Sequence, residues 1–130
     1  INDRFGHAAG DELLIAVSRR IGETARSHGA LAGRLGGDEF VVVAEVSPGI
    51  GRMIALATSI LGEVSRPVSL RIGRVRVSAC AGIAERAAGP TASATLIADA
   101  DAALYQAKSS GPGRWAVCGA ARGAGRRQAS

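Results

Sequence analysis

Apolar residues recur along this chain with two different periods, and the changes of period divide it into elements. From Gly10 to about Ser27, Leu13, Leu14, Val17 and Ile21 return at helical spacing. The pattern predicts a helix opening at Gly10-Asp11 and ending at His28-Gly29. Asp11 and Glu12 would then lie in its first turn, where negative charge suits the helix dipole. "ALAGRL" (30–35) and "EFVVVAEV" (39–46) read as the strands of a hairpin around Gly36-Gly37-Asp38, because β-branched runs flank a glycine-rich joint. Pro48-Gly49 breaks the second run. Over 50–64, Ile50, Met53, Ile54, Ala57, Ile60, Leu61 and Val64 fall on one helical stripe, which Pro67 closes.

A second hairpin is predicted next. Val68, Leu70 and Ile72 alternate, Gly73-Arg74 turns, and Val75, Val77, Ala79, Ala81 and Ile83 alternate again. A period of two implies one covered and one polar face. Residues 85–92 read as a loop. The segment 93–109 reads as a helix with Leu96, Ile97, Ala100, Leu104 and Ala107 inward, stopped by Gly111-Pro112-Gly113, and "RWAVC" (114–118) offers a last strand. The order helix, hairpin, helix, hairpin, helix, strand predicts an α/β sandwich with a largely antiparallel central sheet and helices packed on it. There is no internal repeat and no interdomain linker.

Composition narrows the picture in three ways. The 130 residues suffice for one domain and one core. Only 3% are aromatic, so that core is expected to be aliphatic. No apolar run approaches the ~20 residues of a membrane-spanning helix, and no signal peptide is visible. Cys80 and Cys118 are far apart and lack metal-ligand spacing, which predicts two free thiols in a reducing compartment. Net charge is +5, of which Arg122, Arg126 and Arg127 in the Gly/Ala/Arg-rich segment 119–130 supply three. That segment is predicted to be a disordered basic tail. The other residues carry a balance ordinary for a soluble domain. Fifteen of the sixteen basic residues are Arg, and Lys108 is the only Lys.

The candidate chemistry lies in "GRLGGDEFVVV" (33–43). Gly36 and Gly37 would let a nucleotide lie against the backbone. Asp38 and Glu39 are hard oxygen donors that suit Mg²⁺ beside phosphates. A polar, solvated hairpin turn is the plain alternative for these four residues alone.

The knot has company. "INDRFGHAAGDELL" (1–14), "RLGGDEFVVV" (34–43), "VSACAGIA" (77–84) and "ADAALYQAKSSG" (100–111) occur in this order at plausible distances. Together they resemble the GGDEF domain of diguanylate cyclases, with Gly36-Gly37-Asp38-Glu39-Phe40 as the complete signature. The resemblance covers residues 1–118 and leaves 119–130 outside. It implies a palm-like nucleotide-cyclase fold. It also implies condensation of two GTP into cyclic di-GMP with release of two pyrophosphates, each GTP held by one domain of a homodimer. In bacteria that product is a second messenger.

Residue by residue, the resemblance implies that Asn2 and Asp11 read guanine. A carboxylate can accept from guanine N1–H and N2–H₂ side by side, and adenine lacks that donor pair. Asp38 corresponds to the metal-binding acid. Glu39 corresponds to the next acid, a second metal ligand or the group that activates the 3′-hydroxyl. Gly36 and Gly37 would meet ribose and α-phosphate, and Lys108 the β- and γ-phosphates. Arg114 corresponds to a phosphate-side Arg displaced by two residues, because Pro112-Gly113 follows Gly111 where the family often has Arg-Asn. His7, Gly10 and Asp101 match family patterns and are assigned architectural roles.

The implied cofactor is Mg²⁺ or Mn²⁺. The implied partners are GTP, a second copy of the domain and an N-terminal sensor or dimerisation region, with no nucleic acid and no membrane contact by this domain. The implied location is cytoplasmic, with any membrane anchor upstream. Two features depart from the family. The inhibitory Arg-x-x-Asp motif would place its Arg at Ser27 and its Asp at Ala30, so product feedback through that motif is not expected. The family's first strand, with an Asp-x-Asp-x-Phe segment, precedes "IND", so the 130 residues are expected to lack that strand and one metal carboxylate and to be inactive by themselves. The rival readings are a catalytically inactive GTP-binding regulatory GGDEF module and a protein-interaction scaffold.

Overall fold

Leu13, Val17 and Ile21 stack on one side of the first helix and are buried together with Val64 and Val68. The computed structural model that shows this describes residues 6–44, 50–85 and 92–118. The first helix, α1, is His7–Ser27. It opens one turn earlier than its apolar spacing predicts, since Ala8 and Ala9 are good helix formers and Gly10 N–H bonds Gly6 O at 3.0 Å. Asp11 and Glu12 therefore lie beyond the first turn, and the dipole rationale for them does not hold. At the other end Gly29 takes φ +74 and Ala30 N–H reaches back to Ala25 O at 2.8 Å, which satisfies a helix-end carbonyl.

The first hairpin forms as its sequence predicts. β1 (Leu31–Gly36) and β2 (Glu39–Val43) pair antiparallel, from Leu31 opposite Val43 to Gly36 opposite Glu39, with an irregularity between Arg34 and Gly36. Phe40 and Val42, successive residues on one face of β2, pack against the Leu13 cluster. The remainder of the predicted strand, 45–46, lies outside the described residues.

The next helix, α2 (Gly51–Val64), turns Ala57, Leu61 and Val64 inward as expected, and also Leu56, which seats beside Ala25 and Ala30. Its C-terminal end is tied to α1 by one side chain. The Arg20 guanidinium donates to Glu63 O (3.2 Å), Arg66 O (2.6 Å) and Pro67 O (2.8 Å).

The second hairpin corrects the sequence reading. β3 (Val68–Leu70) and β4 (Gly73–Val75) are joined by Arg71-Ile72, not by Gly73-Arg74. Pairing Val68 with Val75 and Leu70 with Gly73 keeps Val68, Leu70 and Val75 all on the core side. It leaves Ile72 at the tip, 59% exposed.

The long alternating strand predicted over 75–83 is divided as well. Over 76–80 no ladder forms among the described residues, although Val77 and Ala79 still point to the core. The alternation reports burial, which backbone pairing need not follow. β5 (Ala81–Ile83) pairs instead with β6 (Trp115–Val117), and in parallel.

Parallel neighbours need a crossover, and the crossover is α3 (Ala92–Ser109). Ala103 and Ala107 are buried with Ala116 of β6. Ile97, predicted inward, is 45% exposed. A face of small residues is needed here because α3 lies almost on β5. A Cβ at Gly82 would overlap Ala100 O and Leu104 N and stand 2.8 Å from Leu104 Cα.

The architecture is thus the expected α/β palm-like sandwich, with two antiparallel strand pairs and one parallel pair. The core is mainly aliphatic, with Trp115 as its largest fully buried side chain. Both cysteines are free. No helix among the described residues is long and apolar enough to cross a membrane.

Candidate nucleotide and metal site

The first hairpin is built to present its turn. Gly36 and Glu39 close it, so Gly37 and Asp38 are the two central residues. Gly37 takes φ +52, which the first position of such a turn requires and which a glycine adopts without strain. Arg34 spans the turn, its Nε–H donating to Gly37 O at 2.8 Å. At the base, Phe40 is half-buried against the α1 core. The turn is therefore fixed from inside by an aromatic anchor and across its top by an arginine.

Asp38 and Glu39 are both exposed there. Among the described residues neither carboxylate has an ion-pair partner. Two adjacent unpaired acids beside two glycines can accept a hydrated cation and let a phosphate approach the backbone. Sequence reasoning missed Arg34 as the residue that holds this turn. Its place two residues before the glycine pair was the available signal.

The other expected residues are distributed over the remaining elements. Asp11 is exposed on α1, one turn in from its start. Lys108 is exposed in the last turn of α3. Arg114 is half-buried immediately before β6, where its carbonyl accepts from Ala81 N–H at 3.0 Å. That bond fixes the backbone of Arg114 to β5. Asn2 lies outside the described residues.

No hydrogen bond or ion pair joins Asp11, Asp38, Glu39 and Lys108 to one another. The structure leaves each of them available and does not link them into a preformed network. Of the residues assigned architectural roles, Gly10 is buried, while His7 and Asp101 are exposed. A cavity between α2 and β6, lined by Leu61, Ser65, Ser78 and Trp115 among others, contains none of the candidate residues. Asp11, Asp38, Glu39 and Lys108 are each exposed.

The donor set fits a magnesium-like ion. Mg²⁺ is commonly held by one or two carboxylates with water and substrate phosphates, and Asp38 and Glu39 supply two carboxylates. No group of three or more His, Cys, Asp or Glu side chains forms a complete cage among the described residues. The remaining ligands would have to come from outside these side chains.

The family described as diguanylate cyclase, GGDEF domain, matches residues 1–114. The chain belongs to this family. It is 39% identical to the bifunctional diguanylate cyclase/cyclic di-GMP phosphodiesterase MucR of Pseudomonas aeruginosa, over 85% of this chain and 16% of MucR. It is 38% identical to the diguanylate cyclase TpbB of the same species, over 83% of this chain and 25% of TpbB. The crystal structure of the TpbB GGDEF domain superposes with a TM-score of 0.77 at 35% identity, covering 92% of this chain and 74% of that one. The cyclic di-GMP phosphodiesterase PdeR of Escherichia coli is 35% identical over 90% of this chain and 17% of its own length. The chain thus spans a quarter or less of these curated relatives.

Proposed function

We propose that this GGDEF domain is one half of a diguanylate cyclase active site, which forms cyclic di-GMP from two GTP when two copies face each other. The observation that carries the reading is the intact turn. Asp38 and Glu39 stand exposed and unpaired on a glycine-lined hairpin tip held by Arg34 and Phe40.

In this mechanism Asp11 accepts guanine N1–H and N2–H₂, with Asn2 beside it, and so selects GTP over ATP. The Gly36-Gly37 backbone borders the ribose and α-phosphate. Lys108 and Arg114 hold the β- and γ-phosphates that leave. Asp38 and Glu39 are the residues that would hold Mg²⁺ or Mn²⁺. When bound, that ion supplies charge neutralisation at the triphosphate. Glu39 is also the candidate to take the 3′-hydroxyl proton. The 3′-oxygen of each GTP attacks the α-phosphorus of the other, a 3′–5′ phosphodiester bond forms, and the α–β P–O bond breaks to release pyrophosphate. Two such steps close the ring. Holding both nucleotides in line converts an encounter between two substrates into a reaction within one complex.

A second reading is a GGDEF module that binds GTP and regulates a neighbour without turnover. The observation that favours it is the similarity to a phosphodiesterase. Product analysis of the full-length parent with GTP and Mg²⁺ separates the two. Formation of cyclic di-GMP is expected, and Asp38→Ala and Glu39→Ala are each expected to lower it by at least ~10²-fold. Nucleotide binding without product would support the module, and wild-type turnover in Asp38→Ala would overturn the metal assignment.

A further inference from the structure

The β3–β4 hairpin carries a surface that the cyclase reading does not use. Its two-residue tip is Arg71-Ile72, with Ile72 59% exposed. Arg74 stands opposite Ser69 on the solvent face of the hairpin. Arg76 is also exposed and follows on the same side, ~7 Å along the chain. The opposite face, with Val68, Leu70 and Val75, is committed to the core. Arg71 thus adjoins one projecting aliphatic side chain at the tip, Arg74 follows on the solvent face, and Arg76 stands at the anchored base of the hairpin.

These charges are not spent within the described fold. Arg66 nearby is paired with Glu63 at 2.9 Å. No carboxylate pairs with the guanidinium of Arg71, Arg74 or Arg76 among the described residues. The Glu12 carboxylate accepts from the Arg71 backbone N–H through a long contact of 3.5 Å. Arg76 Nε–H reaches Ser65 O at 3.4 Å. An exposed Ile beside guanidinium groups without carboxylate partners is suited to a surface that is anionic at its plane and apolar just below it.

We propose that the β3–β4 hairpin is a peripheral docking tip for the anionic face of a lipid bilayer, with Ile72 entering the headgroup–acyl boundary and Arg71, Arg74 and Arg76 meeting lipid phosphates and carboxylates. This departs from the expectation of no membrane contact, which rested on the absence of a long apolar run. Docking through a hairpin tip requires no such run. A nucleic-acid surface is the less suitable partner. Arginines would meet its phosphates, but Ile72 would gain nothing from the backbone, and the tip carries no aromatic or amide side chain to read a base.

The test is co-sedimentation of the full 130-residue chain with vesicles of phosphatidylcholine alone and of phosphatidylcholine with phosphatidylserine, at low and high salt. Binding is expected only to the phosphatidylserine vesicles and is expected to weaken with salt. Arg71→Ala/Arg74→Ala/Arg76→Ala is expected to lower the partition coefficient by at least ~20-fold, and Ile72→Ser by severalfold. The charge-matched control is Arg122→Ala/Arg126→Ala/Arg127→Ala, which removes the same charge from the segment 119–130 and is expected to retain most of the binding. All substituted hairpin residues are exposed, and circular dichroism checks that each variant is folded. Equal loss in the control would reduce the effect to net charge and overturn the proposal. So would absence of vesicle binding, or an unchanged Ile72→Ser variant whose vesicle binding a DNA duplex abolishes, which would assign the hairpin to nucleic acid.

Discussion

At Asp11 two explanations competed, negative charge at a helix start and recognition of guanine. The structure removes the first, since α1 begins at His7 and has no acid in its first turn. What remains is an exposed carboxylate without an ion-pair partner among the described residues. Asp11→Ala is expected to weaken GTP binding by roughly 10- to 150-fold, the equivalent of ~1.5–3 kcal/mol for hydrogen bonds to a charged acceptor. It is also expected to narrow the GTP/ATP preference. Calorimetric titration with both nucleotides measures this, and unchanged affinities would leave Asp11 without a nucleotide role. Arg34 makes a different kind of contribution. Its guanidinium bonds Gly37 O and, among the described residues, neither carboxylate, so it acts on them through the shape of the turn. Arg34→Ala is expected to lower cyclic di-GMP synthesis about 10-fold or more while leaving the melting temperature nearly unchanged, because a small displacement of reacting groups is costly and a surface bond is not. A large fall in melting temperature with activity retained would reverse that assignment.

Elements are held by a few specific close approaches. The βαβ unit of β5, α3 and β6 depends on Gly82, where strand and helix backbones meet with no room for a methyl group. Gly82→Ala forces α3 outward and is expected to destabilise the domain by about 1–3 kcal/mol, a fall of several degrees in melting temperature. Thermal unfolding followed by circular dichroism tests it. A variant as stable as the parent would mean that α3 moves freely on β5. The first hairpin was legible in the chain because its glycines, β-branched runs and acids agree locally. The second was misread at its turn. Gly73-Arg74 has turn composition, but the observed ladder pairs Val68 with Val75 and Leu70 with Gly73, which places Arg71-Ile72 at the turn and leaves Ile72 exposed. Both registers put Val68, Leu70 and Val75 on one face, so the alternation alone could not choose between them.

For the whole molecule, regulation follows from what occupies the end of α1. The positions of the family's inhibitory Arg and Asp are Ser27 and Ala30. Ser27 Oγ donates to Thr24 O at 2.8 Å, and Ala30 is 6% exposed in a cluster with Ala25 and Leu56. The acid is absent, and its place is part of a packed apolar seam. Added cyclic di-GMP is therefore expected to produce no strong inhibition that saturating GTP fails to relieve. Initial rates of the full-length parent at varied GTP and product test this, and potent non-competitive inhibition would require another product site.

The sequence by itself determined the family, the helices and the signature hairpin, since each is encoded within a few dozen residues by periodicity, glycine placement and residue chemistry. It also carried the candidate site residues, because their chemistry is their identity. It could not determine that α1 starts at His7, that the strand predicted over 75–83 divides, or that β5 and β6 pair in parallel around α3. Nor could it show that Ile97 faces outward. Those features depend on which apolar face finds a partner and how closely two backbones approach, and only the assembled tertiary structure decides that.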